Sequence, residues 1–353
     1  MASAFTKQGI FRSAEKLKIP DKKPTEKLDF PERMTEKSNI DFFHVNLDQL
    51  ETVLIHRKLN QNKICIAYPV WELPTFPKEW LAGLFAIDDV MVPSNFVADN
   101  MLGAWGFRPF VLPHVISVNS AAPAEAQKTR HKLGLTDQDI VILLSFDLDS
   151  YFQRKNPIGA LRAIKLALSH YKVSRPIKVI VKLHGTDHEK SISKIREFEL
   201  ANVILVDEVQ TAQEYEALQE VSDIFLSLHR SEGFGLNIAE MMARGKLVVT
   251  TRYSGNLDYC TDNNSMLVDC RFVPVGSGEY PHHSGGWWAE PSNEDAAHKL
   301  GQAIKLVEER DLRLAAQART DLAQGFRGEV VAKRFLQFID DKVEWLHGQR
   351  TTT

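Results

Sequence analysis

Ser227-Leu-His-Arg-Ser-Glu-Gly-Phe-Gly-Leu-Asn-Ile-Ala-Glu-Met-Met-Ala-Arg-Gly245 is the stretch on which the fold turns. It reads as the end of a strand, a glycine-containing loop and a helix. Gly233 and Gly235 let the backbone pass close to a ligand, since a residue without Cβ tolerates tight approach. A helix starting near Leu236 aims unbonded N–H groups and a partial positive charge back at that loop, which suits a phosphate. Gly245 is placed to cap the other end. A second strand, Leu247 to Thr250, follows, and then a turn at Ser254-Gly255-Asn256.

Two carboxylates belong to the same stretch. Glu232 lies in the loop and Glu240 on the helix eight positions later, so they span up to roughly 12 Å if the stretch is helical throughout. One can then meet a sugar while the other meets a nucleoside. The plainer reading is a glycine turn with two surface glutamates; the agreement of loop, helix and following turn favours a site.

Working outward, short apolar runs alternate with helical patterns. Ile140 to Phe146 is a continuous apolar run of the kind a strand buried on both faces needs, and Asn156 to Tyr171 reads as a helix with Pro157 near its start. Lys178 to Leu183, Val203 to Val206 and Ile224 to Ser227 are further strands. An earlier series has strands at Ile40 to Val45, Lys63 to Tyr68, Val90 to Pro93 and Pro109 to Leu112, with helices at Leu47 to Leu59 and Asn95 to Trp105. Two such βαβ series predict an α/β protein with two parallel sheets. Residues 119–137, rich in Ala, Lys and Glu, carry the crossing between them, and a helix over Glu329 to Leu346 ends the chain. Met1 to Lys18 has the rough apolar stripe of a helix, followed by a polar linker from Pro20 to Ser38.

Composition narrows the function class. The 353 residues are 44% hydrophobic and 25% charged, ordinary for a globular protein, and a formal charge of −3 gives no general attraction to nucleic acid. The cysteines Cys65, Cys260 and Cys270 form no CxxC pair, which points to inert thiols in a reducing compartment. No apolar run reaches the length of a membrane span, and no apolar signal core precedes the first helix, so the expectation is a cytoplasmic protein. The basic residues of 20–38 read as a solvated surface, with peripheral contact at the inner membrane face as the second reading.

Three further segments can carry chemistry. In Phe146 to Pro157, Arg154 and Lys155 follow a strand and precede a helix, the carboxyl edge where doubly wound sheets bind ligands. Two adjacent cations there match a diphosphate, and they sit on the less favourable end of a helix dipole if they serve structure alone. Asp147-Leu-Asp149 beside them mimics a metal-binding pair. The segment Tyr68-Pro-Val-Trp-Glu-Leu-Pro-Thr-Phe-Pro-Lys-Glu-Trp80 offers Trp71 to a sugar face and Glu72 to hydroxyls or as a base; packing of Trp71 and Trp80 on a proline-rich loop explains it equally well. His44 with Asn46, and His114, also sit at strand ends, where a lone histidine is usually structural. His282-His283 and Trp287-Trp288 fall in a glycine-rich loop, Val275 to Glu290, without a third ligand at zinc spacing.

At these residues the sequence resembles glycosyltransferase family 4, retaining enzymes of the GT-B fold. Glu232 to Glu240 matches that family's E-x7-E motif, and Arg154-Lys155-Asn156-Pro157 resembles its phosphate-binding Arg-Lys; the similarity covers nearly all of 140–345. Tyr68 to Trp80 and Val92-Pro-Ser-Asn-Phe-Val97 look like a bacterial polysaccharide-assembly branch. The resemblance implies two Rossmann-like doubly wound domains facing a cleft, the N-terminal one incomplete. They would be an acceptor-side domain over 1–118 and a nucleotide-sugar-binding domain over 119–328, with a helix at 329–353 packing back toward the first. It implies that Glu232 contacts the donor sugar near the reacting centre and that Glu240 holds the ribose. Arg154 and Lys155 would neutralise the leaving diphosphate, and Gly233, Phe234, Gly235 and Leu236 would supply backbone amides. The implied partners are a GDP-, UDP- or dTDP-sugar and a glycan or lipid-linked acceptor, with His44, Asn46, Trp71, Glu72 and His114 on the substrate side, and with no metal or other cofactor. One departure stands out: family members begin with a strand and a glycine loop, whereas this chain starts inside the helix that follows. A sugar- or nucleotide-binding relative without that loop, and another GT-B enzyme such as a phosphorylase, are the competing readings.

Overall fold

The computed structural model describes residues 40–56, 63–119, 121–185 and 188–350. The helix expected over 1–18 and the linker over 20–38 lie outside the described residues. Two compact units account for the chain: 40–115 together with 324–350, and 116–323.

In the first unit, β1 (Ile40–Phe43), β2 (Ile64–Ala67), β3 (Asp89–Val92) and β4 (Phe110–Val111) form a parallel sheet in that order. The helix Asn95–Trp105 has the bounds its sequence signals dictate. Ser94 accepts a hydrogen bond from the Val97 amide at 3.3 Å, and Gly106, at φ 79°, ends the helix in the left-handed conformation that glycine adopts without strain. Ile66, Tyr68, Met91 and Leu112 form a core with Val331, Ala332 and Phe335 of the helix Gly328–Arg350. Lys342 on that helix pairs with Asp89 at 2.7 Å.

The second unit holds a six-stranded, all-parallel sheet. Its strands are β5 (Ile140–Asp147), β6 (Ile177–His184), β7 (Val203–Val206), β8 (Ile224–Ser227), β9 (Leu247–Thr251) and β10 (Met266–Val268), in the order β10-β9-β8-β5-β6-β7. β5 lies in the middle, and its apolar run Ile140–Leu144 is buried throughout. Covered on both faces, each such side chain contributes about 1.5–3 kcal/mol by leaving water, which is why the run shows no alternation. The helices Pro157–His170 and Asn293–Glu308 pack into the same core.

One expectation needs correction. Val275 to Glu290 is not a loop throughout: β11 (Cys270–Pro274) and β12 (Trp287–Pro291) pair antiparallel as a hairpin, and only the segment between them is loop. The Gly285-Gly286 pair hides the start of β12. Trp287 is exposed, but Trp288, Ala289 and Pro291 are all buried, so the strand carries no simple alternation. Among the described residues, no helix is long and apolar enough to cross a membrane.

Candidate functional site

β5 and β8 are neighbours, with Ile142 opposite Ile224, and the chain order runs away from them on both sides. In open parallel sheets this reversal leaves a crevice at the carboxyl ends of the two strands. Here the loops after β5, β8 and β9 gather there.

The loop after β5 is built tightly. Asp147 accepts the Asp149 amide at 2.9 Å and closes a short turn, Leu148–Ser150. Tyr151 follows at φ 68°, ψ 112°, a conformation costly for a residue with a Cβ. One helical turn, Phe152–Lys155, presents the cations. Asn156 then caps the next helix: its oxygen accepts the Gly159 amide at 3.1 Å, while its nitrogen donates to the Leu228 carbonyl at 2.9 Å. The Arg230 amide donates to the Arg154 carbonyl at 2.7 Å, so the loops after β5 and β8 are joined by backbone as well.

Both cations converge on one carboxylate. Lys155 Nζ lies 2.5 Å from Glu232 Oε1 and Arg154 Nη1 lies 3.1 Å from Oε2. Arg154 also donates to the Ser231 carbonyl at 2.8 Å and the Ser150 carbonyl at 3.2 Å, and its guanidinium stands over the Tyr280 ring. Its side chain is 3% exposed, against 19% for Lys155 and 11% for Glu232. Arg154 is thus turned inward, and Lys155 keeps an open edge. Burial works to raise the Glu232 pKa, but Lys155 and Arg154 together outweigh it and hold the carboxyl down to about 2. The cluster is ionised at neutral pH, with two positive charges against one negative.

Glu232 is fixed by its backbone too. Its amide donates to Ser254 Oγ and its carbonyl accepts the Gly255 amide, each at 2.9 Å. Ser254 holds φ 79° to make this contact. A Cβ on Gly255 would lie 2.2 Å from the Gly233 carbonyl oxygen, so only glycine lets the two loops meet. Gly235, at φ 89°, starts the helix Leu236–Ala243, and a Cβ there would lie 2.9 Å from Tyr259 Oη. Glycine is required at both positions for different reasons, one spatial and one conformational.

Glu240 belongs to a separate group. It accepts from Gln219 Nε2 at 3.0 Å, and Gln219 Oε1 in turn accepts from Arg244 Nε at 2.9 Å. Burial raises the Glu240 pKa, the Gln219 bond opposing it. Nearby, Asn237 Nδ2 donates to the Ser145 carbonyl at 3.3 Å, and Ser145 Oγ meets Tyr215 Oη at 2.8 Å.

In the first unit, His44, Tyr68 and His114 gather at the carboxyl ends of β1, β2 and β4. The His44 ring meets the Tyr68 ring edge-on at 5.0 Å and lies 6.0 Å from His114. Tyr68 Oη donates to the Leu112 carbonyl at 2.8 Å and lies 3.3 Å from His114 Nδ1. The Tyr68 hydroxyl thus engages the Leu112 carbonyl and the His114 ring together. Burial, with the His44 ring beside it, pulls the His114 pKa down to about 3. Asn46 Oδ1 accepts the Val70 amide at 3.3 Å. Trp71 donates to the Thr75 carbonyl at 2.8 Å and packs edge-on to Trp80 at 4.8 Å, buried within its own loop. Glu72 is half-buried.

Two residues of the site have no role in the sequence reading. His229, fully buried inside the motif, has Nε2 3.2 Å from both the Tyr253 carbonyl and Asn256 Oδ1. Both are acceptors, so the proton sits on Nε2, and burial keeps the ring neutral. Tyr259 Oη meets the Gly235 carbonyl at 2.7 Å and bolts down the helix start. Neither declares itself by spacing; the one signal was a histidine within an otherwise apolar strand end.

Parallel sheets of this topology, with a glycine-started helix and a cation pair at the reversal point, define an α/β protein of the GT-B type. The chain belongs to the glycosyl transferases group 1: that family's profile matches residues 126–321, more than half of the length. Family and fold together make it a glycosyltransferase. In fold it is similar to a glycosyltransferase from Rickettsia africae ESF-5 (TM-score 0.65, 15% identity over 86% of this chain and 76% of that one). It is also similar to Anabaena HepE in complex with UDP and glucose (TM-score 0.64, 15% identity over 86% of this chain and 78% of that one). A third is an α,α-trehalose 6-phosphate synthase from Burkholderia multivorans (TM-score 0.64, 11% identity over 88% and 72%). No curated protein matches the chain in sequence.

Proposed function

We propose that this protein is a retaining, family 4 glycosyltransferase that moves a hexose from a nucleotide-sugar donor to a glycan or lipid-linked acceptor without a metal ion. The observation that carries the reading is the pairing of Lys155 and Arg154 with Glu232 beside the N-terminus of Leu236–Ala243. The second unit binds the donor. Its diphosphate exchanges with Glu232 for Lys155, the cation with an open edge, and lies against the amides of Gly233 to Leu236. Glu232, released from Lys155 and still held by Arg154, turns to the donor sugar, and Glu240 takes the ribose hydroxyls. Arg154, whose Nε and Nη1 bind the Ser150 and Ser231 carbonyls and Glu232, acts on the site through Glu232 and Ser231. The preorganised positive charge stabilises the leaving diphosphate as negative charge develops on it.

The first unit is the acceptor side in this reading, with His44 and His114 set to recognise hydroxyls. The reaction belongs to the cytoplasm, a lipid-linked acceptor being met at the inner membrane face. The UDP and glucose of the Anabaena HepE complex make a uridine nucleotide the first donor to try. Calorimetry with UDP, GDP and dTDP, each against its nucleoside, tests the reading. Tighter binding of one diphosphate than of its nucleoside is expected, lost in Lys155→Ala. Failure of all three to bind the wild-type chain removes the proposal.

A further inference from the structure

The hairpin β11–β12 carries a surface that the donor site does not use. Phe272 lies opposite Ala289 and Pro274 opposite Trp287, which puts Phe272 and Trp287 on one face as diagonal neighbours. Their rings meet edge-on at 4.7 Å, and both contact Tyr253, at 5.2 and 6.0 Å. Phe272 is nevertheless 59% exposed and Trp287 39%. The opposite face of the hairpin is the anchored one. Trp288 is buried under the Arg230 guanidinium, Glu290 pairs with Arg230 at 2.6 Å, and the Ala289 amide donates to the Arg230 carbonyl at 3.0 Å.

The position of this aromatic face follows from its anchors. Arg230 is two residues before Glu232, and Tyr253 directly precedes Ser254, which binds the Glu232 amide. The open rings therefore continue the same two loops that build the donor site. The neighbouring chain positions supply polar groups, Arg252 with Asp262 at 2.6 Å and Asp269 at 3.2 Å. Rings with a negative π face beside charged hydrogen-bonding groups match a saccharide, whose C–H faces are apolar and weakly positive and whose rim is hydroxyl. An aromatic side chain offers about 150–250 Å² when wholly exposed, and these two are partly covered, whereas a stable protein contact needs about 800 Å² per partner. The patch suits one or two sugar rings better than a second copy of the chain.

We propose that Phe272 and Trp287 form a saccharide subsite, a platform on which a pyranose ring of the acceptor glycan stacks beside the transfer site. That the glycan is the acceptor rests on the reading of this protein as a glycosyltransferase with its donor in the second unit; the binding of saccharide by these rings does not.

The test uses the full chain and the Phe272→Ala/Trp287→Ala double variant on a broad array of immobilised oligosaccharides, with UDP, GDP and dTDP binding measured in parallel. The parent is expected to retain a subset of glycans, the double variant to bind them at least tenfold more weakly, and nucleoside diphosphate affinity and melting temperature to stay unchanged. Equal retention by both proteins overturns the subsite, as does a parent that retains no glycan. Sedimentation showing a dimer that the double variant loses also overturns it, by assigning the rings to self-association. Ring-dependent glycan retention without any nucleoside diphosphate binding leaves the subsite standing and removes only the donor reading.

Discussion

Lys155 Nζ and Glu232 Oε1 lie 2.5 Å apart across the point where the strand order of the six-stranded sheet reverses. In the proposed donor site a diphosphate would need the positive charge that this carboxylate occupies, so the two anions would compete for one lysine. Glu232→Gln removes the competitor with little change of shape. Free nucleoside diphosphate is expected to bind several-fold more tightly to this variant, while sugar transfer falls by two or more orders of magnitude. Calorimetry and a donor-consumption assay read the two effects separately. Weaker diphosphate binding together with unimpaired transfer would reverse both roles.

Lys155→Ala and Arg154→Ala are expected to differ in kind. Lys155 has an open edge, and its loss should weaken diphosphate binding by about 1.5–3 kcal/mol, as for a hydrogen bond to a charged group, with nucleoside binding and melting temperature little changed. Arg154 is buried and satisfies the Ser150 and Ser231 carbonyls as well as Glu232. Its removal breaks a buried pair and should cost about 3–5 kcal/mol of stability. Thermal melts beside calorimetry distinguish the two variants; equal stability losses for both would contradict the inward placement of Arg154.

Much of this was legible in sequence, for identifiable reasons. Ile140–Phe146 announced a buried strand because burial on both faces leaves an apolar run, and the helix read over Asn95 to Trp105 is observed with those bounds. The E-x7-E spacing singled out the loop and helix that carry Glu232 and Glu240, the segment to which the proposal assigns the donor. The pairing of Lys155 with Glu232 was not legible, since 77 residues separate them and only the adjacency of β5 and β8 brings them together. The hairpin escaped for a similar reason: β12 pairs with a strand beyond a long glycine-rich connection, and Trp288 is buried because Arg230, far away in sequence, covers it.

Acid should destabilise the protein in two steps. His114 has an ordinary pKa of 6.5 when unfolded and about 3 when folded. Between these values the unfolded chain binds more protons, so stability falls as pH drops from 6.5 toward 3. Glu232, 4.5 unfolded and about 2 folded, adds stability that is present above 4.5 and lost as pH falls toward 2. Urea unfolding from pH 7.5 to 3 should therefore slope downward throughout. His114→Asn is expected to make the slope between about 6.5 and 4.5 shallower, where Glu232 is silent and the buried His44 and His229, whose pKa values are also lowered, still contribute. An unchanged slope in that interval would show that the histidine protonates freely in the folded state.

Transfer is expected to proceed without a metal ion and with retained anomeric configuration. Asp147, one half of the Asp147-Leu-Asp149 mimic, already accepts the Asp149 amide at 2.9 Å and closes the turn after β5. In the proposed mechanism the positive charge for the leaving diphosphate is assigned to Lys155, the N-terminus of Leu236–Ala243 and the loop amides, a field assembled before the donor arrives. Retention belongs to the proposed family 4 assignment and rests on no distance in the site. Transfer measured in excess chelator should match the untreated rate, and NMR of the first-formed product should show the donor's own configuration at the new linkage. Activity that disappears with chelator and returns with magnesium or manganese would remove the metal-free mechanism, and an inverted product would remove the family 4 assignment while leaving the donor-site geometry intact.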